Sequence, residues 1–218
     1  MKKTRSLLLA ALAALLLAGC AGRSEPTRWY ALRGDPPTAA PAAPPLAMTG
    51  GEVWELSRTV RLPGALDRDT LMVESGAAGL QPLTGHRWAE PLRDSVPRLL
   101  LQDLTQLRGP ARTWAAPAPP GVAVTRRLTV EVLVLQADAE RRRVRLQARW
   151  WLEDAAPAPT APAPAAAASA AGSPAPPAVP RLGEADLSVE IAGASVDALA
   201  AAHRQALWQL AQRLAVSP

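Results

Sequence analysis

The sequence has few of the residues that build disulfides, metal centres and common catalytic sites. Its 218 residues include one Cys, two His, one Tyr and no Phe. A single Cys cannot form an intrachain disulfide, and two isolated His do not supply the ligand set of a metal site. Neither a Gly-x-Ser-x-Gly nucleophile turn nor a glycine-rich phosphate loop occurs. We therefore expect no metal, no cofactor and no enzymatic activity, and a fold that depends on apolar burial.

Long apolar runs are also missing, with one exception at the N-terminus. Lys2, Lys3 and Arg5 precede a largely apolar stretch at residues 6–17. Twelve residues are too few for a membrane-spanning helix, which needs about 20, but they suit a secretory signal peptide. The Leu-Ala-Gly-Cys string at 17–20 resembles the lipobox of bacterial lipoproteins. This resemblance implies a signal peptide at 1–19 and a lipidated tether at 20–27.

The lipobox resemblance has consequences for localisation. Cys20 would carry a diacylglycerol group and an N-acyl chain, and three acyl chains should hold a protein on a membrane far more firmly than one. Ala21 stands where enterobacterial lipoproteins retained at the inner membrane have Asp, so we expect the periplasmic face of the outer membrane. Loss of residues 1–19 lowers the formal charge from +5 to +2, which argues against a nucleic-acid partner. The alternative is an ordinary signal peptide that ends near a Cys.

Three Ala/Pro-rich tracts interrupt the rest of the chain. They lie at about 34–51, 115–121 and 154–180. Such segments lack apolar periodicity and are typical of extended, unpacked chain. We expect disordered insertions at these positions within one domain at 28–215.

Alternating apolar residues predict a meander of three strands, at 128–136, 143–153 and 184–192. In the first strand Val134 lies on the same face as Leu128, and Leu133 and Leu135 lie on the other, which indicates cover on both faces. The second strand carries a row of arginines and the third a row of carboxylates. Pairing of the two strands should bring these rows together: Arg143, Arg145 and Arg149 against Glu184, Asp186 and Glu190.

Further strands are predicted at 29–32, 53–62 and 70–74, and two helices at 91–108 and 196–214. Ser195 is a suitable N-cap for the second helix, whereas Pro97 is unfavourable inside the first. The order of elements predicts an α+β fold. It is a single domain in which an antiparallel or mixed β-sheet carries two long helices packed on one face.

The remaining candidate side chains have competing interpretations. His203 falls on the apolar stripe of the second helix, which favours a core position over a catalytic one. Asp67 and Asp69 could form an acid/base pair, but a turn rich in Asp more often caps its own backbone. Trp151 and Trp208 lie off the apolar faces of their elements. They are candidate partner anchors, and partly covered structural positions explain them equally well.

Three segments together resemble the PqiC/YmbA-type lipoproteins, the auxiliary lipoprotein component of ABC-type and MCE-type transport systems. The segments are at 28–32, 60–71 and 87–92. The motif residues are Tyr30, Leu62, Pro63, Leu66, Asp67, Arg68, Arg87, Trp88, Glu90 and Leu92. We interpret them as mainly structural, with Asp67 stabilising a turn and Arg68 pairing with a carboxylate. Direct partner contact, through Arg87 and Trp88 in particular, is the alternative.

The resemblance implies a non-catalytic, homo-oligomeric subunit at the outer membrane. Its partners would be a periplasmic MCE-domain protein with a membrane permease and ATPase, and its role would be phospholipid transport that supports envelope integrity. Two other functions stay open. One is an assembly or stability factor for a lipopolysaccharide exporter or a secretin, and the less favoured one is an envelope hydrolase.

Overall fold

Eight strands and two helices form the part of the chain that the computed structural model describes, residues 26–33, 51–138, 140–155 and 180–217. The fold is α+β, with one mixed sheet, as the sequence predicts. Helix α1 spans Leu92–Arg108 and helix α2 spans Val196–Ala215. The strands are β1 (Arg28–Tyr30), β2 (Trp54–Leu56), β3 (Thr70–Ser75), β4 (Gly79–Trp88), β5 (Thr113–Ala115), β6 (Arg126–Ala137), β7 (Arg143–Asp154) and β8 (Arg181–Glu190).

Strands β6, β7 and β8 form the predicted antiparallel meander, which is the longest part of the sheet. In β7 every second side chain is buried, and the apolar side chains that the sequence predicts to share a face are on that face. Helix α2 packs on this side, and α1 packs against α2 and β5. The opposite side of the meander carries the arginines and carboxylates, and no helix of the described residues packs on it. The buried side is lined in β7 by Val144, Leu146, Ala148, Trp150 and Leu152.

The sheet divides on the far side of β6. Strand β2 pairs in parallel with the N-terminal end of β6, and β5 pairs with β2. Strand β3 meets the C-terminal end of β6, and β4 and β1 follow it. The outer strands of the described sheet are therefore β8 on one side and β1 and β5 on the two branches.

A β-bulge in β6 overturns part of the predicted alternation. The register shifts between Val132 and Val134. A bulge adds one residue to the strand and reverses the phase of the side chains after it. Consequently Leu135 is buried, Val134 is only partly covered, and Leu133 is 43% exposed. The expectation that both faces of this strand are covered is wrong.

The first half of the chain departs further from the prediction. The strand expected at 53–62 is reduced to β2, with a single bridge from Arg61 to Glu131 beyond it. Strand β4 was not predicted, because it contains Pro82 and Gly85, and both residue types are more typical of turns than of strands. The structure accommodates Pro82 next to a register shift between β3 and β4. Long-range pairing therefore overrides local preference in this region.

Both helices follow the prediction closely. Ser195 caps α2, since its Oγ accepts a hydrogen bond from the Ala198 N–H at 3.1 Å. Pro91 is the N-cap of α1, and Pro97 lies within that helix without ending it. Proline lacks the N–H that would reach the carbonyl four residues earlier, here that of Arg93. Neither helix in the described ranges is both long and apolar enough to cross a bilayer.

The tract at 115–121 is ordered, contrary to the expectation of disorder. Ala115 ends strand β5, and the Ala116 N–H donates to the Leu56 carbonyl at 2.9 Å. The Ala118 N–H donates to the carboxylate of Glu55 at 2.8 Å. These bonds compensate for the weak apolar content of the tract. Residues 34–50 and 156–179, which make up most of the other two tracts, lie outside the described residues, so the expectation of disorder there stays untested.

Candidate functional site

The predicted lipid-attachment residue, Cys20, lies outside the described residues, which start at Pro26. The chain enters the sheet through β1, where Trp29 is 60% exposed. Lipidation of Cys20 therefore remains a prediction from the sequence. The structure places β1, which begins eight residues after Cys20 in the sequence, at an edge of the described sheet.

Several motif residues meet where β1, β4 and α1 come together. Tyr30 lies opposite Trp88 in the register, and the Ala89 N–H donates to the Tyr30 carbonyl at 2.7 Å. Tyr30 Oη lies 2.8 Å from His86 Nδ1. Leu92, the first residue of α1, is buried beside them. These contacts fix β1, and with it the tether, to the rest of the sheet.

A short 3-10 helix at Gly64–Leu66 holds the second motif segment. Leu62 packs against the core and Leu66 is buried within it. The Leu66 N–H donates to the Pro63 carbonyl at 2.9 Å. These residues shape a tight turn between β2 and β3, which agrees with the structural interpretation of the motif.

The motif carboxylates pair with arginines other than the one that we expected. Asp67 binds Arg93 on α1 at 2.5 Å, and Asp69 binds Arg87 on β4 at 2.5 Å. Arg68 is exposed, and no carboxylate of the described residues lies within ion-pair distance of it. The expected Arg68 pair is therefore wrong, because the backbone turn directs both carboxylates towards other elements.

These contacts also bear on the acid/base alternative for Asp67 and Asp69. The hydrogen bond from Arg87 lowers the pKa of Asp69 below its usual value. A lowered pKa keeps this carboxylate charged at neutral pH, which does not suit a general acid. Glu90 likewise forms an ion pair, with Arg98 in the second turn of α1. The three carboxylates connect the turn and β4 to the first turns of the helix.

Trp88 and Trp208 are buried, with 4% and 3% of their surfaces exposed. The interpretation of these two residues as surface anchors is therefore wrong for the folded domain. Trp208 lies off the apolar stripe of α2, but α1 and the sheet together cover nearly all of that helix. Trp88 packs edge-on against His203, with ring centroids 5.4 Å apart.

His203 occupies a core position, as its place on the helix predicts. Its Nδ1 donates to the Leu199 carbonyl at 2.8 Å, one turn earlier in α2. Burial lowers the pKa of His203 to about 4, because the charged imidazolium would lose its hydration. The ring is neutral at physiological pH and part of the apolar core.

The most strongly buried charges were missed by the sequence reasoning. Asp103 of α1 and Arg204 of α2 are buried and form two hydrogen bonds, at 2.5 and 2.8 Å. Arg204 also donates through Nε to the Arg33 carbonyl at 2.8 Å. Arg33 lies three residues after the end of β1 and is the last residue of the described range 26–33. The sequence did contain a signal for this pair, because Asp103 and Arg204 each adjoin the apolar stripe of their helix. Charged side chains at such buried positions are almost always paired.

A second buried cation is held differently. The Arg108 guanidinium lies over the Trp54 ring, with Cζ 3.5 Å from the ring centroid. None of its nitrogen atoms has a hydrogen-bond partner among the residues that the structure describes, and burial lowers the pKa of Arg108 to about 10. The helix C-terminus and the nearby Glu52 carboxylate compensate for part of its charge.

The uncovered side of the meander carries the remaining candidate anchor, Trp151. It is partly exposed, with Arg61 Cζ 5.8 Å from its ring centroid. Arg145 binds Asp186 at 2.8 Å, as the predicted pairing of charged rows requires. Arg149, however, turns away from Glu184 and binds Glu131 on β6 at 2.6 Å. The arginine row is therefore largely a paired surface.

The described residues contain no group of three or more His, Cys, Asp and Glu side chains positioned to hold a metal ion. The arrangement around the motif is a network of packing and ion pairs that joins β1, β4, the 3-10 turn and α1. In the described part of the chain, the surfaces accessible to partners include the edge at Trp29 and Arg87 and the sheet face around Trp151.

Comparisons with known proteins bear on the whole domain. A family model described as the ABC-type transport auxiliary lipoprotein component matches residues 30–215. No curated protein matches the chain. Two crystal structures have a similar fold, each with 16% sequence identity. One, of an uncharacterized protein, has a TM-score of 0.60 and covers 88% of this chain and 97% of its own. The other, of a DUF330-family protein from Xanthomonas campestris, has a TM-score of 0.54 and covers 87% and 93%.

Proposed function

Because the chain belongs to the ABC-type transport auxiliary lipoprotein family, we propose that it is a non-catalytic subunit of an intermembrane lipid transport system of the MCE and ABC type. In this proposal, lipidated Cys20 anchors the domain to the periplasmic face of the outer membrane. The folded domain binds a periplasmic MCE-domain protein, whose permease and ATPase partners lie in the inner membrane. The cargo is phospholipid, and transport supports envelope integrity.

One observation carries this proposal. The family model covers nearly the whole folded domain, and a lipobox-like string ends ten residues before the match begins. A chain of six residues from Cys20 reaches Pro26, and even when fully extended it spans no more than about 20 Å. A lipidated Cys20 would therefore hold the domain next to the bilayer.

The contacts of the motif residues support an adaptor role. They rigidly connect the tether strand β1 to α1 and the core through Tyr30, Trp88 and the ion pairs of Arg87 and Arg93. An adaptor that connects a membrane anchor to a partner needs such stiffness more than it needs a reactive pocket. Self-association belongs to the same proposal, with the uncovered sheet face and the Trp29 edge as the available surfaces.

Purification of the full lipidated chain from detergent-solubilised membranes tests the function. We expect an MCE-domain protein, its permease and its ATPase to co-purify, and mass photometry to show more than one copy of the chain. Recovery of a secretin or a lipopolysaccharide exporter without any MCE-domain protein would contradict the proposal and favour the assembly-factor alternative. Turnover of a lipid or glycan by the pure protein would contradict its non-catalytic part.

A further inference from the structure

Strand β8 is an open edge of the sheet. It pairs with β7 on one side and with no other strand in the described ranges. An edge strand presents alternate backbone N–H and C=O groups that can pair with an additional strand. Proteins commonly protect such edges with charges, prolines or bulges, so the side chains along β8 decide whether it accepts a partner.

The start of β8 is unusually apolar for an unprotected edge. Leu182 is 79% exposed, more than any other large apolar side chain in the described part of the chain. It lies opposite Trp151 in the register. Residues 149–151 and 182–184 enclose a groove of about 630 Å³ at this position. The groove offers a site for one apolar or aromatic side chain.

On the inner side of β8, which faces the helices, the Trp150 side chain fills the space next to Gly183. The Trp150 indole lies so close to Gly183 that a Cβ there would be 2.4 Å from the ring. A partner therefore has access to the free edge and the outer face of β8, and not to the side that packs on the helices.

The outer face of β8 has an unbalanced acidic pattern. Glu184 and Glu190 lie opposite Arg149 and Arg143, but neither glutamate has an ion-pair partner among the described residues. Arg149 binds Glu131 instead, and Asp186 is compensated by Arg145. Along the outer face of β8, Leu182 is apolar and is followed by the unpaired acidic Glu184. Asp186 has its charge compensated, Ser188 is neutral and Glu190 is again an unpaired acid.

We propose that the free edge of β8 binds an extended basic segment of another protein by strand addition. In an antiparallel arrangement, an aromatic side chain of the segment packs on Leu182 and Trp151, and two basic side chains lie opposite Glu184 and Glu190. A second copy of β8 fits poorly. Antiparallel pairing about Leu187 places Glu184 opposite Glu190, and pairing about Asp186 places two Asp186 carboxylates together, and like charges destabilise cross-strand pairs. This proposal does not depend on the transport function.

A designed peptide provides the probe. Its sequence is Lys-Val-Thr-Val-Thr-Val-Lys-Val-Trp, which places Lys, Lys and Trp opposite residues 190, 184 and 182. The control peptide has the same composition with its Lys, Thr and Val residues grouped in blocks, so that a register slip cannot restore the alternation. Binding to the full chain in nonionic detergent is measured by fluorescence anisotropy. We expect the alternating peptide to bind at least tenfold more tightly than the control.

Variants locate the binding surface. L182D and the double variant E184K/E190K should each weaken binding of the alternating peptide at least tenfold. E140K, a single charge reversal of the same kind in the turn between β6 and β7, should leave binding unchanged. Amide hydrogen exchange should show new protection in β8 on addition of the peptide, and circular dichroism checks that each variant is folded.

Three results would overturn the proposal. Equal binding of the two peptides would show that only charge is recognised. Unchanged amide exchange in β8 of the wild type with bound peptide would exclude strand addition. This measurement does not depend on whether any variant folds. Dissociation of an oligomer of the chain by L182D, with no peptide binding to the wild type, would assign the edge to a second copy.

Discussion

At the scale of single residues, burial decides which charged contacts matter. The Asp103–Arg204 pair is buried, whereas about half of each side chain in the Asp67–Arg93 pair is exposed to solvent. Exposed pairs contribute little because water and salt screen them. Burial raises the pKa of Asp103, since loss of hydration outweighs the stabilisation by Arg204. Arg204 is therefore the cation that compensates for the buried Asp103 carboxylate in the described part of the chain.

Removal of Arg204 alone should destabilise the domain strongly. R204M leaves the Asp103 carboxylate buried without its partner and also removes the bond to the Arg33 carbonyl. We expect the free energy of unfolding at pH 7 to fall by about 3–5 kcal/mol, measured by urea denaturation. The double variant D103L/R204M should recover at least half of this loss, because no uncompensated charge remains.

The matched control is R93M, which breaks the exposed pair with Asp67. We expect a loss below about 1 kcal/mol. Equal losses for R93M and R204M would contradict the distinction between the two pairs.

His203 should make the domain sensitive to mild acid. Its pKa is about 4 in the folded protein and near 6.5 when unfolded. Between these values the unfolded chain binds a proton that the folded chain does not, so stability decreases as the pH falls from 6.5 to 4. The total loss is about 3 kcal/mol, at roughly 1.4 kcal/mol per pH unit.

Comparison with H203Q isolates this contribution from those of the carboxylates. Between pH 7.5 and pH 4.5 the wild type should lose about 2–3 kcal/mol more of its unfolding free energy than the variant does. The measurement is urea denaturation at the two pH values. Identical losses in the two proteins would show that His203 is not held neutral by the fold.

At the scale of elements, the sequence predicts best where local pattern and tertiary pairing agree. Strand β7 alternates without interruption between two neighbouring strands, and α2 has both a cap and an apolar stripe. The bulge in β6 could not be predicted, because Val134 and Leu135 are equally apolar and only the pairing with β7 distinguishes them. Strand β4 was missed because Pro82 and Gly85 are typical of turns, whereas its pairing with β3, which places Pro82 opposite Met72, and with the distant β1 depends on the tertiary fold.

The candidate site shows the same division. The turn at residues 63–66 follows from its proline and glycine, but the partners of Asp67 and Asp69 depend on where α1 and β4 pass. Trp151 and Trp208 both lie off the apolar face of their element, so the sequence could not show that Trp151 is partly exposed and Trp208 is buried. Their exposure depends on how many neighbouring elements cover the strand and the helix.

The contact between β7 and β8 predicts a strict requirement for glycine at position 183. G183A would place a methyl group 2.4 Å from the buried Trp150 ring, and the ring or the strand must shift. We expect a loss of about 1–3 kcal/mol in the free energy of unfolding, measured by urea denaturation with Trp fluorescence.

G64A is the matched control for this change. A Cβ at Gly64 meets no atom within 4 Å, and the backbone there needs no left-handed conformation. Its stability should be unchanged or slightly higher, because alanine restricts the unfolded chain more than glycine does. A stable G183A protein with an unshifted fluorescence spectrum would contradict the close contact.

At the scale of the whole molecule, the two helices cover one side of the sheet and leave the other side of the meander bare. The N-terminal strand β1 is an outer strand, so the tether starts at the border of this arrangement. A lipid anchor at Cys20 would thus hold one edge of the sheet near the bilayer and leave β8, at the opposite edge, available for partners. The position of the anchor and the position of the free edge are separate properties of the molecule.

That separation predicts that the anchor can be removed without effect on the fold. A variant in which the cleavable signal peptide of a soluble periplasmic protein replaces residues 1–20 should leave the membrane fraction and appear in the periplasmic extract. Its melting temperature should be within about 1 °C of that of the wild type in the same detergent, because the described core extends from residue 28 onwards. A21D tests the sorting expectation in an enterobacterial host: the protein should remain lipidated but move to the inner-membrane fraction of a density gradient. Sedimentation of this unlipidated variant with membranes would show that another part of the chain binds them, and it would remove the main support for the proposed anchor.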